Sequence, residues 1–103
     1  MPDYCIGLLS GTSMDAVDAA IVAFDADRCT LVHTHSHPIP TSIRIALTQA
    51  AQSEQMAIDE IGLLDANFGE LLANAALAVI ESSDLSADQI QAIGSHGQTI
   101  RHR

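Results

Sequence analysis

Tyr4-Cys5-Ile6-Gly7-Leu8-Leu9-Ser10-Gly11-Thr12-Ser13-Met14-Asp15-Ala16-Val17-Asp18-Ala19-Ala20-Ile21-Val22-Ala23-Phe24 is the stretch whose reading decides the fold. Its first part, Tyr4 to Leu9, is a short apolar run that reads as a buried strand. Ser10 to Ser13 breaks the run with a glycine and small hydroxyl residues, the composition of a turn. From Ala16 the apolar pattern resumes. Val17, Ala19, Ile21 and Ala23 alternate against Asp18, Ala20, Val22 and Phe24, which predicts a second strand that is apolar over most of both faces.

Moving outward, Asp25-Ala26-Asp27-Arg28 makes another turn. Cys29 to His37 alternates again, with Cys29, Leu31, His33, His35 and His37 expected on one face and Thr30, Val32, Thr34 and Ser36 on the other. Three consecutive strands joined by tight turns predict an antiparallel meander. Pro38 and Pro40 close the third strand. Thr41 or Ser42 can then cap a short helix whose Ile43, Ala46, Leu47 and Ala50 share a face. In a longer helical pattern Ile61, Leu64, Phe68, Leu71, Ala75 and Val79 recur at spacings of three and four, straight through Gly69, and Ser82-Ser83-Asp84 ends it. Ser86 with Gln89 resembles a capping box for one brief turn. Gln91 to Gly94 reads as a last short strand delivering Ser95-His96-Gly97-Gln98-Thr99. The predicted class is therefore α/β, or α+β at this length: a three-strand meander, helices, and a further strand. The chain reaches Arg103 just after a polar segment with no closing element, as a fragment of a larger domain would.

Composition limits the partners. The chain has 103 residues and is 48% hydrophobic, so it can bury a core, and with only three aromatics that core must be built from Ala, Ile, Leu and Val. Four arginines and no lysine stand against thirteen acids, giving a formal net charge of −9. Such a surface repels phosphate backbones and anionic lipid, which argues against nucleic-acid and membrane-surface roles. A ligand anion held locally by backbone N–H groups is still allowed. Cys5 and Cys29 form no CxxC and read as two reduced thiols. The N-terminus carries Asp3 and no cationic flank, so neither a signal peptide nor a membrane span is expected, and the expected compartment is the cytoplasm.

Two segments can carry chemistry. In Ser10-Gly11-Thr12-Ser13-Met14-Asp15, a turn between strands can aim several backbone N–H groups at one point while Thr12 and Ser13 add hydroxyl donors. That suits phosphate oxygens, and Asp15 could hold Mg²⁺ through water. The same residues also make an ordinary hairpin turn, which is the reading that composition alone favours. No lysine follows the glycine, so it is not a Walker A loop, and GxSxG is absent. In Gly94-Ser95-His96-Gly97-Gln98-Thr99-Ile100-Arg101-His102, a strand end runs into a loop dense in donors and acceptors. His96 and Gln98 could read sugar hydroxyls or an amide, and Arg101 could pair with a carboxylate or phosphate; a solvated loop is the bland alternative. His33, His35 and His37 would share a face as metal ligands can, but no carboxylate or cysteine stands at ligand spacing, and an exposed strand edge is the simpler reading. Asp15 and Asp18, three apart, do not make a paired acid–base site.

Residues 6–18 and residues 93–102, taken in this order and spacing, closely resemble the anhydro-N-acetylmuramic acid kinase family. The resemblance spans the whole chain, but that family's proteins are several times longer. They belong to the sugar kinase, heat-shock ATPase and actin superfamily, with two ribonuclease-H-like lobes and ATP in the cleft. The resemblance thus makes residues 1–103 part of the N-terminal lobe, with the rest of that lobe and the second lobe outside the chain. It implies use of ATP and Mg²⁺ to phosphorylate O6 of 1,6-anhydro-N-acetylmuramic acid while water opens the anhydro ring, giving N-acetylmuramic acid 6-phosphate for cell-wall recycling. It places Gly11, Thr12, Ser13, Met14, Asp15, Ala16, Val17 and Asp18 in the ATP phosphate loop, and Ser95, His96 and Gln98 near the sugar. The catalytic aspartate base is expected beyond Arg103, and a homodimer of the longer protein is compatible with it. Two departures stand out: Ala16 where the family usually has glycine, and Leu9 in place of methionine. A non-enzymatic acidic α+β binding module, or a sugar kinase of the same superfamily with another substrate, are the alternatives.

Overall fold

Strand alternation does most to shape this molecule, because every second residue of the first two strands is apolar and needs cover. The computed structural model describes residues 3–10, 15–52 and 58–95. In chain order the elements are β1 (Asp3–Ser10), β2 (Ala16–Asp25), β3 (Arg28–Pro38), α1 (Thr41–Gln52), α2 (Ile58–Glu81), a 3₁₀ turn over Ala87–Gln89, and β4 (Ile90–Ser95). The sheet order is β3-β2-β1-β4. β1 to β3 form the expected antiparallel meander, and β4 returns parallel to β1 on its free side. A parallel return needs a crossover, which the two helices supply.

The register sorts side chains into two faces. Ile6 lies opposite Ile21, Leu8 opposite Ala19 and Ser10 opposite Val17, and all six are buried. This inner face is covered by α2, whose Leu64, Phe68, Leu71, Ala75, Ala76 and Val79 make the buried stripe, and by α1 through Leu47 and Ala50. Burial of each such aliphatic side chain is worth roughly 1.5–3 kcal/mol, and these residues form one cluster. By length and composition α2 could cross a membrane, but its apolar stripe lies against the sheet. On the outer face, Leu9, Phe24 and Leu31 are exposed. An open apolar groove of about 580 Å³ also runs between α2 and β4, with Leu77 and Ile93 on its walls.

Three expectations need correction. Val22 pairs with Leu31 and Ile21 with His33, so Val32 is an extra residue in β3. This bulge reverses the alternation. His33, His35 and His37 lie on the inner face opposite Ile21, Ala19 and Val17, whereas Cys29 and Leu31 share the outer face with Phe24 and Val22. Second, neither Thr41 nor Ser42 caps α1. The Arg44 N–H donates to the Pro40 carbonyl at 3.0 Å, which makes Pro40 the flanking residue and puts both hydroxyl residues in the first turn. Third, Ile61 is exposed at 48%, outside the stripe it was expected to begin. The brief turn before β4 forms as expected, with the Ser86 N–H donating to Gln89 Oε1 at 2.9 Å. Both cysteines are free thiols.

Ala26 at the β2–β3 turn has φ 55°, the single positive value among described non-glycine residues. A Cβ there is held in the left-handed region, at a cost of about 1 kcal/mol relative to glycine. Ala26→Gly should therefore raise the urea midpoint slightly, with a net stability gain of no more than about 0.6 kcal/mol once the roughly 0.4–1 kcal/mol of entropy that glycine adds to the unfolded chain is subtracted. A lower midpoint would show that the turn relaxes to suit alanine.

Candidate functional site

The pairing pattern brings the described ends of both sequence-selected segments, Ser10 of the first and Ser95 of the second, to one end of the sheet. β1 and β4 are parallel, and Leu8 lies beside Ser95, so the chain leaves both strands on the same side. β2 enters from that side, with Ser10 opposite Val17 and Ala16 opposite Pro38. β3 ends there, and α1 begins after two intervening residues. Residues 8–10, 15–18, 36–44 and 95 thus surround one region, at the carboxyl ends of the parallel pair, where ligands of open α/β sheets are usually met.

Of the residues assigned to the phosphate turn, Gly11, Thr12, Ser13 and Met14 lie outside the described residues, as do His96 and Gln98 of the sugar segment. The remainder are placed as follows. Ser10 is buried at the end of β1. Asp15 is exposed, and its carbonyl accepts the Ile39 N–H at 3.0 Å, tying the turn to the start of α1. Its carboxylate Oδ1 sits 3.2 Å from Arg44 Nη2. Ala16 is half-buried and does not have a positive φ, so the backbone at this position carries no strain that glycine would relieve. Val17 is completely buried, and its side chain anchors the returning strand in the core. Asp18 is exposed on the outer face between Leu9 and Ser36. Asp15 and Asp18 therefore do not converge, in keeping with their spacing. Ser95 is exposed at the last position of β4.

Arg44 is the site residue that the sequence reading missed. The signal was scarcity: among the described residues only Arg28 and Arg44 are permanently cationic. Arg28 closes the turn at the other end of β2, roughly 30 Å away at about 3.4 Å per residue. Arg44 stands one helical turn after Pro40, where α1 starts beside Asp15. Its pair with Asp15 is exposed on both sides (55% and 62%), so it contributes about 0–1 kcal/mol and is readily exchanged.

Among the described residues no three His, Cys, Asp or Glu side chains converge as a metal site. A Mg²⁺ here would rest on a single carboxylate, waters and ligand phosphate, which is how this ion is ordinarily held, and the exposed Asp15 fits that demand. The three β3 histidines are occupied otherwise. His33 Nε2 is 2.9 Å from Ser82 Oγ at the end of α2, and His35 Nε2 is 3.4 Å from His37 Nδ1.

Residues 3–103 match the family model described as anhydro-N-acetylmuramic acid kinase. Among curated proteins, the chain is 48% identical over 99 residues to the anhydro-N-acetylmuramic acid kinase of Shewanella loihica, covering 96% of this chain and 27% of that protein. It is 46% identical over 97 residues to that of Coxiella burnetii, covering 94% and 26%. It is 41% identical over 100 residues to that of Shewanella pealeana, covering 97% and 27%. The chain therefore spans about a quarter of the length of the curated relatives it matches. With a family model matching residues 3–103 and these relatives similar over nearly the whole chain, the chain belongs to the anhydro-N-acetylmuramic acid kinase family.

Proposed function

We propose that this chain is the opening part of the N-terminal lobe of a cytoplasmic kinase that phosphorylates 1,6-anhydro-N-acetylmuramic acid at the expense of ATP, in amino-sugar and cell-wall recycling. The observation that carries this reading is that the end of β1 at Ser10, the start of β2 at Ala16 and the end of β4 at Ser95 lie on one side of the sheet, in a chain of this family. The open apolar groove beside β4 and the bare outer face support the view that further polypeptide completes the lobe.

In this proposal the backbone of residues 11–18 holds the nucleotide phosphates, with the hydroxyls of Thr12 and Ser13 as added donors. Asp15 holds Mg²⁺ through water; the ion neutralises charge on the phosphates when bound. Ser95, His96 and Gln98 face the sugar. Phosphoryl transfer asks the protein mainly for positioning and charge stabilisation, so a turn of this kind suffices for its share. Water adds to C1 as the C1–O6 bond breaks, O6 takes the γ-phosphoryl group, and ADP leaves. The water's proton passes to a carboxylate base supplied by polypeptide beyond Arg103.

The test uses the gene read past Arg103, with its product assayed for ATP-dependent phosphorylation of the anhydro sugar. Asp15→Ala and His96→Ala should each lower kcat/KM by about 100-fold or more, on the scale of lost metal or positioning contacts. Activity on the sugar that survives both substitutions would remove the site assignment, and absence of activity in the parent protein would remove the substrate. Residues 1–103 alone should show no turnover above a Mg²⁺-only control, because this proposal assigns the water's base to polypeptide beyond Arg103.

A further inference from the structure

The pair between Asp15 and Arg44 poses an electrostatic question. A chain of net charge −9 places an acidic residue at the phosphate turn and a second, Asp18, three positions on. An incoming oxyanion is repelled by both unless a cation intervenes. Arg44 is the single described permanent cation at this end of the sheet, carried on the first turn of α1 and held 3.2 Å from the Asp15 carboxylate. Both partners are more than half exposed, so neither is committed to the other by burial.

We propose that Arg44 is the oxyanion-receiving residue of this site, held by Asp15 when the site is empty and released to a substrate anion when Mg²⁺ engages that carboxylate. The inference rests on the kinase reading. An arginine suits the role because its planar guanidinium offers paired N–H donors that match phosphate or carboxylate geometry. Two anions are available in that reaction, a nucleotide phosphate and the carboxylate of the muramic acid, and both present the same oxygen-rich edge. The exchange also couples the two events. Metal on Asp15 removes the partner of Arg44, and the anion that Arg44 then binds offsets the charge that the metal brought in.

Arg44→Ala and Arg44→Lys in the product of the extended gene separate the possibilities. Arg44→Ala should raise KM for one of the two substrates at least tenfold, and calorimetric binding of that same substrate should weaken by a similar factor. A rise for ATP assigns the phosphate, and a rise for the sugar assigns the carboxylate. Arg44→Lys should recover part of the loss, since it keeps the charge and forfeits the paired donors. The melting temperature should stay within about a degree or two of the parent, as expected for an exposed pair. If Arg44 serves only to pin α1 beside Asp15, Arg44→Ala frees Asp15 for metal, and binding of both Mg·ATP and the sugar stays the same or tightens; that result overturns the inference while leaving the kinase reading intact. A parent protein that does not phosphorylate the sugar overturns both.

Discussion

The double pairing of β1 is the constraint on which the rest depends. One of its edges is taken by β2 in antiparallel register, and the other by β4 in parallel register. Because side chains alternate strictly along a strand, fixing Ile6 against Ile21 and Leu8 against Ala19 commits the inner face of both strands at once. The inner face then needs α2 as its cover, and the parallel return of β4 needs the α1–α2 crossover to reach it. From the same pairing it follows that two segments more than eighty positions apart in sequence leave the sheet on the same side.

Electrostatics sets the second condition. An acid-rich chain that binds anions must do so locally, with backbone dipoles, a metal held by one carboxylate, and the few guanidinium groups it possesses. The strand ends on either side of residues 11–14 are held by the ladder, with Ser10 and Val17 both buried. The bond from the Ile39 N–H to the Asp15 carbonyl extends that rigidity to α1, so Arg44 is presented to the turn by a helix and not by a loop. Preorganisation of this kind is what positioning chemistry requires.

Much of the fold was legible because it depends on local periodicity. The alternation from Val17 announced a strand, although only the Val17, Ala19 and Ile21 face is buried. The three-and-four spacing announced a helix whose stripe holds from Leu64 to Val79 but not at Ile61. What escaped was set by geometry that residue types do not encode. The bulge at Val32 leaves composition unchanged yet moves Cys29 and Leu31 to the face opposite the histidines. Thr41 and Ser42 are good capping residues, but the proline before them starts the helix one step earlier. The parallel pairing of β4 with β1, and the contact of Arg44 with Asp15, join residues distant in sequence, and no periodicity marks either. The turn and the segment after β4 were recognisable as polar interruptions of strands, while the reason to connect them came from family resemblance first and sheet topology second.

The central claim is that both segments form one site at one end of the sheet, and hydrogen–deuterium exchange on the extended gene product tests it most directly. With Mg·ADP and the anhydro sugar added, peptides covering residues 8–18, 38–44 and 93–100 should gain protection together, while the turn at residues 25–28 at the opposite end stays unchanged. Protection confined to the 25–28 end, or none in the first three segments, would contradict the account.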